Sequence, residues 1–374
     1  MSKDLLTFLQ RKENLAERFV RQIKKSGKNF YCYGAGHYLQ FSLEFLRRHG
    51  LAPAAVLDTV RDGTFEGIPV IRYEHFLSSC PPADSIFLIT APSHALEIRA
   101  SLEQRFDPEN IVCFETELYL RCFPDIDAYR QYLTKYWAEM TAFRAALEDD
   151  ASRHTFDCVL KGRITGDQRY FGDCYVPDQY YPRDIISFSP GEVMVELGAN
   201  DGKTLAEFLR LCPDPKRVYC FEPDPECIPL LHAIRVSKPA YCDKIVIVQK
   251  GAWSHTTKLR FFAGGNVSAG NGHIVSVGQE DTETIETAAV DDVVQEPISY
   301  MKMDIEGCEL EALHGAEQQI RRNTPSLAIC VYHKMTDFLD IWMFLKNMVP
   351  GYHFYLRHHN RYSGTETVLY AVMW

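Results

Sequence analysis

The stretch "VMVELGANDGKTLAEFLR" (193–210) limits the fold more than any other part of the chain. An apolar run stops at Gly198, a second glycine follows at Gly202, and apolar residues then recur at helical spacing. That pattern is strand, tight turn, helix. The rhythm repeats downstream. "RVYCFEPD" leads to a predicted helix over 225–236, "SYMKMDIEG" to one over 309–322, and "SLAICVYH" to one over 336–348. "KIVIVQKGAWS" and the alternating "TKLRFFAG" read as further strands, with "ETAAVDDV" as another after a glycine-rich loop. "HFYLRHH" and "ETVLYAVMW" close the chain as an antiparallel hairpin. Strands alternating with helices predict an open α/β sheet.

A second, smaller array precedes it. The chain has 374 residues, 46% of them hydrophobic, enough for two ordinary domains. Leu5, Leu9, Phe19 and Ile23 share a helical face over 1–25. "NFYCYGAGHYLQFSLEFLRRHG" gives strand, glycine turn and helix, and "AAVLDT", "TFEGIPVI", "SIFLITAP" and "IVCFE" add short strands. Residues 1–120 are therefore expected to be a small Rossmann-like α/β domain with an N-terminal helix. Its Gly34, Gly36 and Asp58 suit a nucleotide-sugar, or a scaffold that only docks. Ile126, Tyr129, Leu133, Tyr136, Met140, Phe143 and Leu147 form a heptad seam, which predicts one linker helix over 121–152 opened by Pro124 and Asp125. Its seam either docks on a domain or pairs with a second copy in a homodimer. Residues 153–374 form the second domain, and its leading segment to 190 reads as loop-rich and aromatic.

Composition excludes several classes. The formal net charge of −10 argues against nucleic acid as a partner. No run of about 18 apolar residues offers a membrane span, and the charged N-terminus has no signal-peptide core, so a cytoplasmic protein is expected. The twelve cysteines contain no CxxC pair and read as reduced thiols rather than a zinc site.

Ligands of open α/β sheets sit outside the carboxyl ends of the strands. The residues there are Glu196, Gly198, Asn200, Asp201 and Gly202, then Glu222, Pro223 and Asp224, then Lys250, Gly251 and Ala252, then Asp304 and Glu306, then His333. The glycine pattern is GxxxG rather than the GxGxxG of dinucleotide binders. Glu222, at the next strand end, suits the two hydroxyls of a ribose. Each feature alone has a bland reading, a packing glycine or a helix-flanking carboxylate. Together they point to an adenosine-type ligand such as S-adenosylmethionine, its charged end met by Glu196 or Asp201.

From Val193 to about Tyr332 the chain resembles the FkbM-type S-adenosylmethionine-dependent methyltransferases. The matching pieces are "VELGANDGKT", "CFEPDP", "QKGAWS", "AAVDDVV" and "MKMDIEGCELEALHGA", with "DQYYPRDII" upstream. The resemblance covers the C-terminal half and says little about residues 1–120. It implies a class I Rossmann-like methyltransferase sheet, a cofactor loop at 196–202, a ribose acid at Glu222 and an adenine-side turn at Lys250–Ala252. Glu196 departs from the family, where Asp is the more usual residue. The family implies O-methylation of sugar or other hydroxyls in natural-product and surface-glycan pathways.

Methyl transfer needs alignment and, for a hydroxyl, removal of its proton. Asp304 is the leading candidate for base or orienter, with His333 as a second base and Glu306 beside them. The alternatives are a helix-capping role for Asp304, or a divalent metal such as magnesium held by Asp304, Glu306 and His333. Tyr170, Tyr180 and Tyr181 suit stacking on a sugar or packing under a lid, as does Tyr175. Arg357, with His358, His359 and Arg361, suits an anionic group such as a nucleotide-sugar diphosphate, or a solvated face. The rival functions are N- or carboxyl-methylation, nicotinamide-dependent oxidoreduction, and nucleotide binding without turnover.

Overall fold

The computed structural model describes residues 3–123, 125–262, 273–274 and 283–373; Pro124 and the glycine-rich loop lie outside them. The chain divides into two compact units. The first holds residues 1–138, 154–175 and 360–365, and the second holds 139–153, 176–359 and 366–374. The expected boundary near 152 therefore differs from the observed one: residues 154–175 and the tip of the terminal hairpin belong with the first unit.

The first unit is built on strands β1 (Phe30–Tyr33), β2 (Ala55–Asp58), β3 (Gly63–Phe65), β4 (Ile68–Arg72), β5 (Ile86–Ile89) and β6 (Ile111–Val112). They lie in the order β3-β4-β2-β1-β5-β6, parallel except for β3. Tyr33, Leu57, Phe87, Ile89, Leu102 and Phe106 bury one face, each large apolar side chain contributing ~1.5–3 kcal/mol. The helix expected over 1–25 is two, Lys3–Arg11 and Leu15–Ser26. Asn14 causes the break: its extended backbone and side chain cap the second helix through the Ala16 and Glu17 N–H groups. Leu5, Leu9, Phe19 and Ile23 are buried as expected.

Gly34 and Asp58 serve this unit's own turn. A Cβ on Gly34 (φ 120°) would meet the Ala91 side chain at 2.5 Å. Asp58 accepts from the N–H groups of Ala35, Val60 and Arg61, and Gly36 faces open space.

The span expected as one linker helix holds two, Ile126–Lys135 and Trp137–Ala146, and only the first residues of a third, Asp150–Thr165. The first ends where Tyr136 leaves helical geometry, at φ −107° and ψ 27°. Ile126, Tyr129, Leu133, Met140, Phe143 and Leu147 are all buried within the chain itself. Tyr136, the seventh seam residue, is half-buried, so the seam mostly packs within the chain. Helices also occupy part of the segment expected as loop, at Asp150–Thr165 and Arg169–Asp173.

The second unit carries β7 (Val193–Leu197), β8 (Arg217–Phe221), β9 (Ile245–Val248), β10 (Gly251–Ala252), β11 (Lys258–Phe262), β12 (His273–Ile274), β13 (Glu283–Ala288), β14 (Tyr300–Met303), β15 (Ser326–Cys330), β16 (His353–His358) and β17 (Thr367–Val372). Its main sheet has the order β16-β17-β15-β14-β7-β8-β9, and only β17 runs against the rest. β10 to β13 form a separate small sheet, so "KIVIVQKGAWS" is two strands rather than one. The helix expected over 309–322 is also two, Glu309–His314 and Glu317–Asn323. Between them Gly315 sits so close to Trp253 that a Cβ would run into its carbonyl.

Strand order reverses between β7 and β14. A chain that winds outward in both directions from such a point leaves a crevice at the strand ends. The loops after β7 and β14, 198–202 and 304–309, border it.

Candidate functional site

Residues 198–202 turn sharply to enter helix Lys203–Leu211. Gly198, Asn200 and Gly202 take left-handed φ values of 77°, 46° and 78°. A Cβ on Gly198 would strike the Asp304 backbone carbonyl, whereas one on Gly202 would meet the ends of the Ile234 and Leu231 side chains. The first glycine lets the two crevice loops touch, and the second lets two helices pack. The N–H groups of 198 and 199 donate to the Phe221 carbonyl, that of 202 to the Ala199 carbonyl, that of 200 to Glu222 and that of 203 to Asp201. A pyrophosphate needs such N–H groups free, so the loop does not suit a dinucleotide.

Glu222 follows β8 and is 6% exposed. Its two oxygens accept from Asn200 N (2.7 Å) and Asp224 N (2.9 Å). It ties two crevice loops together, and each oxygen keeps a lone pair able to accept a further hydrogen bond. Burial raises its pKa, partly offset by those N–H groups. Asp224 accepts from Glu226 N. Asp201 is paired with Lys203 at 2.6 Å, and Lys250 with Glu286 at 3.2 Å. Gly251 and Ala252 form β10 alongside β13.

Glu196 lies inside β7 rather than at its mouth. It is fully buried, hydrogen-bonded to the Thr204 hydroxyl and in register with Lys302 of β14. Burial pushes its carboxyl up to about 7 against the pull of Lys302.

Asp304 ends β14. Its Oδ2 accepts from the Tyr180 hydroxyl at 2.7 Å and its Oδ1 from the Tyr332 hydroxyl at 3.3 Å. Burial works to raise its pKa, but Lys302, His333 and the Tyr180 hydroxyl outweigh it and hold the carboxyl below its ordinary value. Asp304 is thus an anion at neutral pH, able to accept a hydrogen bond.

His333 is a correction. A neutral imidazole base was expected after β15. Instead the ring is 9% exposed and ringed by carboxylates: Glu309 Oε1 lies 2.9 Å from Nδ1, with Asp304 Oδ1 at 3.6 Å and Glu306 Oε2 at 3.7 Å from Nε2. Burial favours the neutral ring, but Glu309, Glu306 and Asp304 overcome it and raise the pKa to about 10. The group already carries its proton and cannot take another. Its contribution to stability is full below the ordinary value of 6.5 and is lost as pH rises to about 10. The gap in unfolding free energy between wild type and His333→Gln should narrow across that window in denaturant titrations; a constant gap would refute the assignment.

Glu309 was not foreseen. It is fully buried, accepts from the N–H groups of Ile305 and Gly307, and leaves Oε2 without a hydrogen-bond partner. It shapes the 304–307 turn, in which Glu306 and Gly307 take φ values of 55° and 91°. Asp304, Glu309 and His333 each offer a donor atom within 4.8 Å of the others. Among the described residues that set, with Glu309 in place of Glu306, could hold a divalent ion; Asp304, Cys330 and Glu366 form a second such group.

The tyrosines separate. Tyr180 belongs to the site through Asp304, but at 4% exposure it offers no face for stacking. Tyr181, equally buried, packs among Phe188, Phe208 and Tyr300 and donates to the Thr204 carbonyl. Tyr170 lies in the first unit, edge-on to Phe8. Arg357 is likewise no anion receptor: it is 3% exposed and bonded to Asp149, Asp184 and Ser152. His359 Nδ1 donates to the Val176 carbonyl and Nε2 pairs with the Tyr370 hydroxyl, and burial lowers its pKa to about 4.

The sheet order, with its reversal between β7 and β14 and the crevice that it leaves, defines an open, doubly wound α/β fold. Residues 196–354 match the methyltransferase FkbM domain. By structure it is similar to the FkbM methyltransferase of Methylobacillus flagellatus, with 23% identity, a TM-score of 0.77, and 97% of this chain and 95% of that one covered. An rRNA methylase from Streptococcus thermophilus aligns at 15% identity and a TM-score of 0.33, over 51% of this chain and 91% of that one. No curated protein sequence matches. Among the described residues no helix is long and apolar enough to cross a membrane.

Proposed function

We propose that the protein transfers a methyl group from S-adenosylmethionine to a hydroxyl of a sugar or glycoconjugate, in a surface-glycan or natural-product pathway. The observation that carries this is an ionised Asp304 at the strand reversal, beside the 198–202 loop and held by two tyrosine hydroxyls. The donor supplies an activated methyl on a sulfonium, whose departure leaves an electron pair on sulfur. Glu222 would receive the ribose hydroxyls. Asp304 would accept the hydrogen bond of the incoming hydroxyl, orient its oxygen, and receive the proton as the new O–C bond forms. Glu196 supports the loop from beneath through Thr204. Arg357 is occupied, so it supplies no anchor for a nucleotide-sugar diphosphate.

Titration calorimetry on the folded protein should show heat with S-adenosylmethionine and none with NAD. The reverse pattern would overturn the donor assignment. A metal is a second reading, favoured by the Asp304, Glu309 and His333 cluster and the unpartnered Glu309 oxygen. Magnesium would then neutralise the carboxylates and polarise the acceptor oxygen. Turnover unchanged by a chelator would dismiss it.

A further inference from the structure

A lysine interrupts the apolar run of β14. Lys302 is 3% exposed, and its cation needs nearby anions to remain buried. Cross-strand register sets it opposite Glu196, which is fully buried. Its Nζ donates to the Gly198 carbonyl at 2.7 Å, fixing the start of the cofactor loop. The same Nζ lies 5.0 Å from the centre of the Tyr180 ring, within cation–π reach. The Tyr180 hydroxyl in turn donates to Asp304. One buried ammonium therefore touches the donor-side loop and the tyrosine that holds the acceptor-side carboxylate.

We propose that Lys302 is a positioning residue for methyl transfer: it fixes the Gly198 turn and the Tyr180–Asp304 pair in a single arrangement, so that donor seat and acceptor carboxylate are aligned together. The bland reading is that Lys302 only neutralises Glu196. The two readings separate because Glu196 can be neutralised by itself. The inference rests on Asp304 serving the acceptor, as argued above, and the experiment is chosen so that the two can fail separately.

Lys302→Met leaves Glu196 buried without its partner and can fail to fold. The informative comparison is E196Q/K302M against E196Q, which removes both buried charges in the double variant. In E196Q the Lys302 cation keeps Asp304 and Glu222 as counter-charges, and thermal stability of the double variant should be no lower than that of E196Q. Its kcat should be lower by about a hundredfold, the scale of one preorganised electrostatic contact, while donor affinity by calorimetry changes by less than about tenfold. Equal kcat in the two proteins would overturn the proposal and leave Lys302 as a charge partner only. A readout without turnover covers the case in which the donor assignment itself is wrong. In protein labelled at the tyrosine ζ-carbon, with the Tyr180 signal assigned through Tyr180→Phe, that signal should move between E196Q and E196Q/K302M. An unmoved signal overturns the proposal whether or not the wild type binds S-adenosylmethionine.

Discussion

Asp304→Asn should lower the rate of methyl transfer by about a thousandfold while leaving S-adenosylmethionine affinity within about threefold. The substitution keeps size and removes charge. Asp304 receives two hydroxyl donors, Tyr180 at 2.7 Å and Tyr332 at 3.3 Å. An amide has one oxygen to offer them, so its NH2 group faces a donor it cannot satisfy. It also cannot take the acceptor's proton. The donor seat proposed above rests on other residues, Glu222 and the 198–202 turn, whose own hydrogen bonds do not involve the Asp304 carboxylate. Single-turnover rates with methyl-labelled donor, beside calorimetry on the same preparation, separate the two effects. A rate within about tenfold of wild type would take Asp304 out of the chemistry. Loss of donor binding in parallel would make it a structural residue of the cofactor loop.

What sequence reasoning reached and missed follows from where the partners of each residue lie. Strand ends were legible because hydrophobic period and glycine position are local. Asp304, Glu222 and the 198–202 turn were singled out that way, and the turn touches both: Asn200 N donates to Glu222, and Gly198 lies against the Asp304 carbonyl. The states of the side chains were not legible, because they are set by residues far away in sequence. Arg357 looked free until Asp149 and Asp184 closed on it. His333 looked like a base until Glu306 and Glu309 enclosed it. Tyr180 looked like a stacking ring, but its hydroxyl belongs to a residue 124 positions on. One missed residue did leave a signal. A lysine inside "YMKMD" is a charge in a core strand, and buried charges are the informative exceptions to an apolar interior. The "MKMDIEGCELEALHGA" block then reads residue by residue: Lys302 fastens the 198–202 turn, Glu309 shapes the turn around Asp304, and Gly315 lets the helix approach Trp253.

Gly198→Ala should unfold or nearly unfold the protein, at a cost of about 3 kcal/mol or more. Gly202→Ala, one turn away and equally left-handed, should cost clearly less. Both positions carry the strain of a left-handed alanine, ~1–2 kcal/mol. They differ in what a methyl group meets. At Gly202 it meets the tips of Ile234 and Leu231, side-chain ends that can turn aside. At Gly198 it meets the Asp304 carbonyl, which belongs to backbone. That backbone is pinned: Leu197 pairs with Met303 in the sheet, and Asp304 N donates to the Leu197 carbonyl at 3.1 Å. Relief requires prising β14 from β7 at the crevice, which adds an overpacking cost of ~1–3 kcal/mol to the strain. Any Gly198→Ala protein that does fold would have moved Asp304 relative to the loop, so it should lose transfer even where donor still binds. Denaturant midpoints for the two variants decide the matter. Equal losses would mean that the two glycines do one job, and that the close approach of the 198 turn to Asp304 is not what holds the site together.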